Sequence, residues 1–148
     1  VLQAHVDEGL KYARKNRLPK PIANFIPEHQ GTLKMGYFFQ KAKEKNLKIN
    51  ENDFRYKGPI PQSKETAILM LADGCEAALR AMNINASDNE ALETISRIIY
   101  SRKKDGQLDD SNLSKGEIFL IKRAFLNVWK RIRHRRIQYP TTKNNTFS

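Results

Sequence analysis

His5, His29 and Asp73 are the side chains of this 148-residue sequence whose types could share a metal ion. Neutral imidazole and carboxylate together suit borderline divalent ions such as manganese, iron or zinc. Their spacing makes no local motif: there is no HExxH and no cysteine pair, so the three can meet only through the fold. A lone histidine is more often an ordinary surface or core residue than a metal ligand. His134, set among arginines, reads as surface.

Asp73 carries the stronger signal. It lies within residues 64–82, KETAILMLADGCEAALRAM, where apolar side chains recur on most of a helical surface. The pattern predicts a helix buried nearly all round, with a carboxylate in its middle. An ionised Asp in an apolar setting costs several kcal/mol unless it meets a cation or a set of donors. Three structural answers stay open beside a metal: a narrow polar stripe shared with Thr66, Glu76 and Arg80, an Arg from another helix, or solvent beside Gly74.

The remaining pattern supplies the elements that would bring these residues together. A first helix runs to about Asn16 with Val6, Leu10 and Ala13 on one face, and the prolines at 19 and 21 stop it. Pro21 opens a second helix with Ile22, Phe25 and Ile26, which Pro27 ends or kinks just before His29. A third helix is expected over 33–45. Residues 46–63 hold Gly58, Pro59 and Pro61 and read as a long ordered loop, a kind of segment that is usually functional. Ser87 or Asp88 caps a helix carrying Ala91, Leu92, Ile95, Ile98 and Ile99. Residues 104–110 form a turn without calcium-loop ligand spacing. Ser114, with Glu117 at the capping-box position, starts a last helix that ends near Arg136. No strand alternation, internal repeat or glycine-rich phosphate loop is present, so the expected fold is all-α.

The single Cys75 excludes an internal disulfide and fits a reducing compartment, so a cytoplasmic domain is expected. No apolar run reaches the roughly 20 residues that span a bilayer. The chain starts without Met inside what already reads as a helix, and is expected to be a fragment of a longer protein. A net charge of +11 is concentrated at 11–20, 41–48 and 130–136. Such a surface is either a solvated one or a contact for nucleic acid, a nucleotide or anionic lipid.

The segments HVDEGLKYARKNRLPKPI, IPEHQGT, YFFQKA, FRYKGPIPQSKETAILMLADGCEAALRAM, DGQLDDSNLS and HRRIQYP, in this order, closely resemble the C-terminal part of the HD domain of phosphohydrolases anchored by seven transmembrane helices. The resemblance runs from Ala4 to Pro140 and leaves 141–148 as a disordered tail. It implies an all-helical HD-domain bundle lacking its first helices. It also implies two divalent ions, manganese or iron, and hydrolysis of cyclic di-AMP to a linear dinucleotide. By position, His5 and His29 match metal-ligand histidines, and Asp73 matches the closing Asp of the HD signature, as ligand and catalytic residue. Two metals roughly 3.5–4 Å apart lower the pKa of a bridging water and bind the phosphoryl oxygen. Lys64 and Arg80 are candidate phosphate contacts, with solvated charges or pairs to Glu65 or Glu76 the structural alternative.

Two departures bear on activity. No His-Asp dipeptide occurs in the chain, and the family's second paired histidine is Gln30, a poor ligand for iron or manganese, which puts the second ion in doubt. The chain alone is therefore expected to be inactive, its partners being a cyclic dinucleotide, the upstream helices of a membrane-anchored parent, and a second copy through the exposed core face. The alternative is a degenerate HD domain that binds a nucleotide or anionic surface without cleaving it.

Overall fold

The structure, a computed structural model, describes residues 4–45 and 48–138, with side chains through His134 at the C-terminal end. The segment expected to be a tail, 141–148, lies outside the described residues. Seven α-helices are formed among them: α1 (Ala4–Lys15), α2 (Lys20–Ala23), α3 (Phe25–Glu28), α4 (Gly36–Glu44), α5 (Lys64–Arg80), α6 (Asp88–Lys104) and α7 (Lys115–Gln138). The all-α expectation holds.

The helix starts follow local chemistry. Ser63 accepts from the Thr66 amide to begin α5. At α6, Ser87 and Glu90 exchange side chain-to-backbone bonds in a full capping box, and Ser114 and Glu117 do the same at α7. Each bond satisfies an amide that a helix otherwise leaves without a partner.

The core is a single seam. Ala67, Leu71 and Cys75, spaced by four on α5, meet Ile95 and Ile99 of α6, Leu108 of the following turn and Ile121 of α7. Here the sequence expectation is corrected: α5 buries one stripe, not its whole circumference. Ile68 and Leu69 remain 37% and 40% exposed, and Asp73 is exposed on the open side. A continuous apolar run looks the same in sequence whether one face or all faces are covered; only the placement of α3, α6 and α7 decides it.

Two further boundaries differ. Pro27 neither ends nor breaks α3, because its missing N–H falls in the first turn, where no intrahelical partner is needed. The third long helix begins at Gly36 instead of Leu33. The backbone of 33–35 pairs with the long loop that follows α4: Met35 N donates to Phe54 O at 2.7 Å and Tyr56 N to Leu33 O at 3.1 Å. The long loop is thus ordered by pairing, with one 3₁₀ turn at Glu51–Phe54, and it delivers Tyr56 beside α1.

The C-terminal basic run is partly committed within the fold. Lys130 lies 3.1 Å and Arg133 3.8 Å from the Asp88 carboxylate, and Arg133 stacks over Trp129. His134 is exposed, as expected.

Candidate functional site

Gly9 lets α1 approach α3: a Cβ there would lie 2.9 Å from Ile26 Cγ2. That contact places His5 next to His29, with ring centroids 6.3 Å apart and edge to face. Tyr56 closes the group from the loop, 5.9 Å from the His5 ring.

His29 caps α3 and has a defined tautomer. Its Nδ1 sits 2.9 Å from Phe25 O and 2.7 Å from Ile26 O. Carbonyl oxygens only accept, so Nδ1 carries the proton and Nε2 presents a lone pair. Outer-shell bonds of this kind orient metal-ligating histidines. Gln30 lies directly on that lone pair, its amide Nε2 3.1 Å from His29 Nε2.

The turn that carries both residues is braced at each end. Glu28 is buried, and one of its carboxylate oxygens accepts from Thr66 Oγ1 at 2.6 Å and from the Gln62 amide at 2.9 Å. Past Gln30, Gly31 takes φ +52°. Buried Gln107 accepts from the Thr32 amide at 3.0 Å and donates to Thr32 Oγ1 at 2.9 Å. A Cβ on Gly31 would come within 2.5 Å of Gln107 Oε1 and 2.7 Å of Met70 Cε. Gly31→Ala is therefore expected to destabilise the domain by about 1–3 kcal/mol, the range for a strained left-handed residue, or more through the clash. A melting temperature equal to wild type would show that this turn is not a fixed support for His29.

Asp73 lines a cleft of about 830 Å³ that also receives Gln30, Tyr56, Arg97, Arg102 and Lys104. Burial, and then the nearby Asp73 carboxylate, push the Tyr56 hydroxyl pKa above its usual value, so the two groups share one electrostatic neighbourhood. Asp73 itself takes no hydrogen bond or ion pair from a described residue. Its charge is left for something that enters the cleft or for solvent.

The three expected ligands are only partly assembled. His5 and His29 adjoin, but among the described residues no group of three or more His, Cys, Asp or Glu is placed to hold a metal ion. The reason is architectural: α5 is set by its seam against α6 and α7, whereas the histidines ride on α1 and α3.

Lys64 and Arg80 lie outside this cleft. Lys64 Nζ pairs with Glu117 at 2.6 Å instead of Glu65, and holds the Glu117 carboxyl down to about 2. Arg80 pairs with Glu76 at 3.4 Å, the structural alternative weighed for it, and lines a separate apolar groove of about 570 Å³ beside Trp129. The cations on the Asp73 cleft were missed in the sequence, although Arg97, Tyr100 and Lys104 do stand at one-face helical spacing on α6. Arg55 also reaches the cleft but is held by a two-pronged bridge to Asp105, with both contacts 3.0 Å.

The comparisons place this helical seam, with His5 beside His29 and Asp73 open on its cleft, within the class of HD domains. It is 36% identical over 144 residues to the cyclic-di-AMP phosphodiesterase PgpH of Listeria monocytogenes, covering 97% of this chain and 20% of the relative. The PgpH of Bacillus subtilis is also 36% identical, over 140 residues. An uncharacterized protein of Synechocystis sp. is 46% identical over 145 residues, which is 18% of its length. The crystal structure of the Listeria PgpH HD domain in complex with cyclic-di-AMP superposes with a TM-score of 0.83 at 34% identity, over 88% of this chain and 61% of that one. No family model matches the chain. The chain belongs to the PgpH-type HD-domain phosphohydrolase family and corresponds to part of that domain. It spans about one fifth of the length of these curated relatives. Divalent-metal dependence goes with the HD phosphodiesterase family.

Proposed function

We propose that the protein carrying this chain is a metal-dependent phosphodiesterase of cyclic di-AMP, anchored in the membrane outside this segment, and that this chain supplies part of its site. Among the described residues no helix is long and apolar enough to cross a membrane. The observation that carries the reading is His29: its Nδ1 proton is committed to two backbone carbonyls, so Nε2, here met by the Gln30 amide, is the nitrogen that could ligate beside His5.

By side-chain type His5, His29 and Asp73 suit a divalent ion of the manganese or iron type and would be its holders in the intact protein, although among the described residues only the two histidines adjoin. When bound, such an ion lowers the pKa of water and stabilises developing phosphoryl charge. The chain's own residues do the rest. Asp73 brings an unpaired carboxylate to the cleft wall, and Tyr56 covers the histidines. The α6 cations draw the phosphates in, with Tyr37 and Phe38 at the rim available for stacking on bases. Lys64 and Arg80, expected as phosphate contacts, pair with Glu117 and Glu76 away from this cleft, so the reading gives the substrate contacts to the α6 cations instead.

One observation favours the second reading, a binder without catalysis: Gln30 occupies the outward nitrogen of His29. Gln30→His separates the two. In the intact protein, an enzyme short of its second ion is expected to gain bound metal and about tenfold or more in hydrolysis, at least what outer-shell ligand changes move. Unchanged metal content and no hydrolysis in either form, with cyclic di-AMP still bound, would establish the binder.

A further inference from the structure

Arg102 is half-buried on α6, and its guanidinium reaches the cleft across α5. Space for it is made by Gly74, where a Cβ would sit 3.1 Å from Arg102 Nη2 and 3.2 Å from Ile98 Cγ2. Yet part of the group is left without the partner that its burial demands. Its Nε is buried with no hydrogen-bond partner. No described carboxylate pairs with it: Asp105, the nearest in sequence, is taken by Arg55 and Gln107, and Asp73 accepts nothing from it. Burial lowers its pKa, while Cys75, Asp105 and Asp73 support its charge. Removing a guanidinium from water without bonds is costly. A planar fork of donors, kept unpaired at the wall of a cleft, matches two oxygens of a phosphate.

We propose that Arg102, seated by Gly74, is a substrate-binding residue that grips a phosphate of the cyclic dinucleotide in the Asp73 cleft. The proposal rests on the functional reading above. It gives the glycine after Asp73 a role: a Cβ there would force the fork or Ile98 to give by a few tenths of an ångström. It also separates the charges of the cleft, with Asp73 open to a cation and Arg102 to an anion.

The test uses the intact protein, titrated calorimetrically with cyclic di-AMP in chelator and again with Mn²⁺, for wild type, Arg102→Met, Arg102→Lys and Gly74→Ala. Arg102→Met is expected to weaken binding roughly 10- to 100-fold, the worth of charge-assisted bonds, while its melting temperature stays equal or rises, because an unpaired buried charge has been removed. Arg102→Lys should recover part of the affinity, and Gly74→Ala should lose affinity with the arginine still present. Wild-type affinity in Arg102→Met overturns the proposal, as does a fall in melting temperature that Arg102→Lys reverses without restoring binding. If wild type binds no cyclic di-AMP in either condition, the functional reading fails instead. Inorganic pyrophosphate then decides the Arg102 site: binding lost in Arg102→Met upholds an oxyanion grip, and binding equal to wild type removes it.

Discussion

Asp73→Ala in the intact protein is expected to abolish cyclic di-AMP hydrolysis to below about one hundredth of wild type, with bound metal lost in parallel. Loss of an outer-shell partner alone costs roughly 10- to 100-fold in affinity or activity, and Asp73 is proposed as a direct ligand. The carboxylate is exposed and takes no hydrogen bond or ion pair from a described residue, so its removal breaks no internal contact. Stability should therefore stay within about 0.5 kcal/mol of wild type, as for surface substitutions generally. That pairing of outcomes matters: lost activity with an unchanged melting temperature isolates the cleft chemistry from the fold. Metal content and turnover both equal to wild type would remove Asp73 from the site.

Glu28→Ala is expected to act in the opposite way, through the fold. Its single oxygen gathers the Thr66 hydroxyl and the Gln62 amide in a buried setting. Hydrogen bonds to a charged acceptor are worth about 1.5–3 kcal/mol each; both would be lost, and although the Thr66 hydroxyl could turn to Ser63, the Gln62 amide would be left without a partner. A loss of about 3 kcal/mol or more follows, against a total of roughly 5–15 kcal/mol for a domain. The melting temperature should fall by about 6–12 °C on the scaling for domains of this size. Glu28→Gln keeps an acceptor oxygen and should cost much less. Because His29 follows directly, metal binding should weaken with stability in Glu28→Ala. Unfolding within about 0.5 kcal/mol of wild type would show that the Glu28 bonds do not secure α3 to α5.

These two carboxylates show where a linear reading stops. Asp73 was singled out for its apolar neighbours in the chain, yet the carboxylate that is buried is Glu28, which stands among polar residues in PEHQGT. Burial depends on what packs from elsewhere, and the groups that cover Glu28 come from residues 62–66. The family strings prove to be largely braces. Gly31, Thr32 and Gln107 clamp the histidine turn, and Asp105 of DGQLDD holds Arg55 from FRYKGP.

By itself the sequence determined the helical class, the Ser114–Glu117 capping box, the apolar faces of the first and last helices and the residue types that could ligate a metal, because each of these is a local property of spacing and side-chain type. Tertiary structure alone decided that α5 buries one face, that 33–35 pair with the loop, and that His5 meets His29 while Lys64 and Arg80 turn to other partners. It also decided that Arg102 reaches the Asp73 cleft over a glycine. Those outcomes hang on contacts between residues tens of positions apart, and helical periodicity carries no information about which face a distant element will cover.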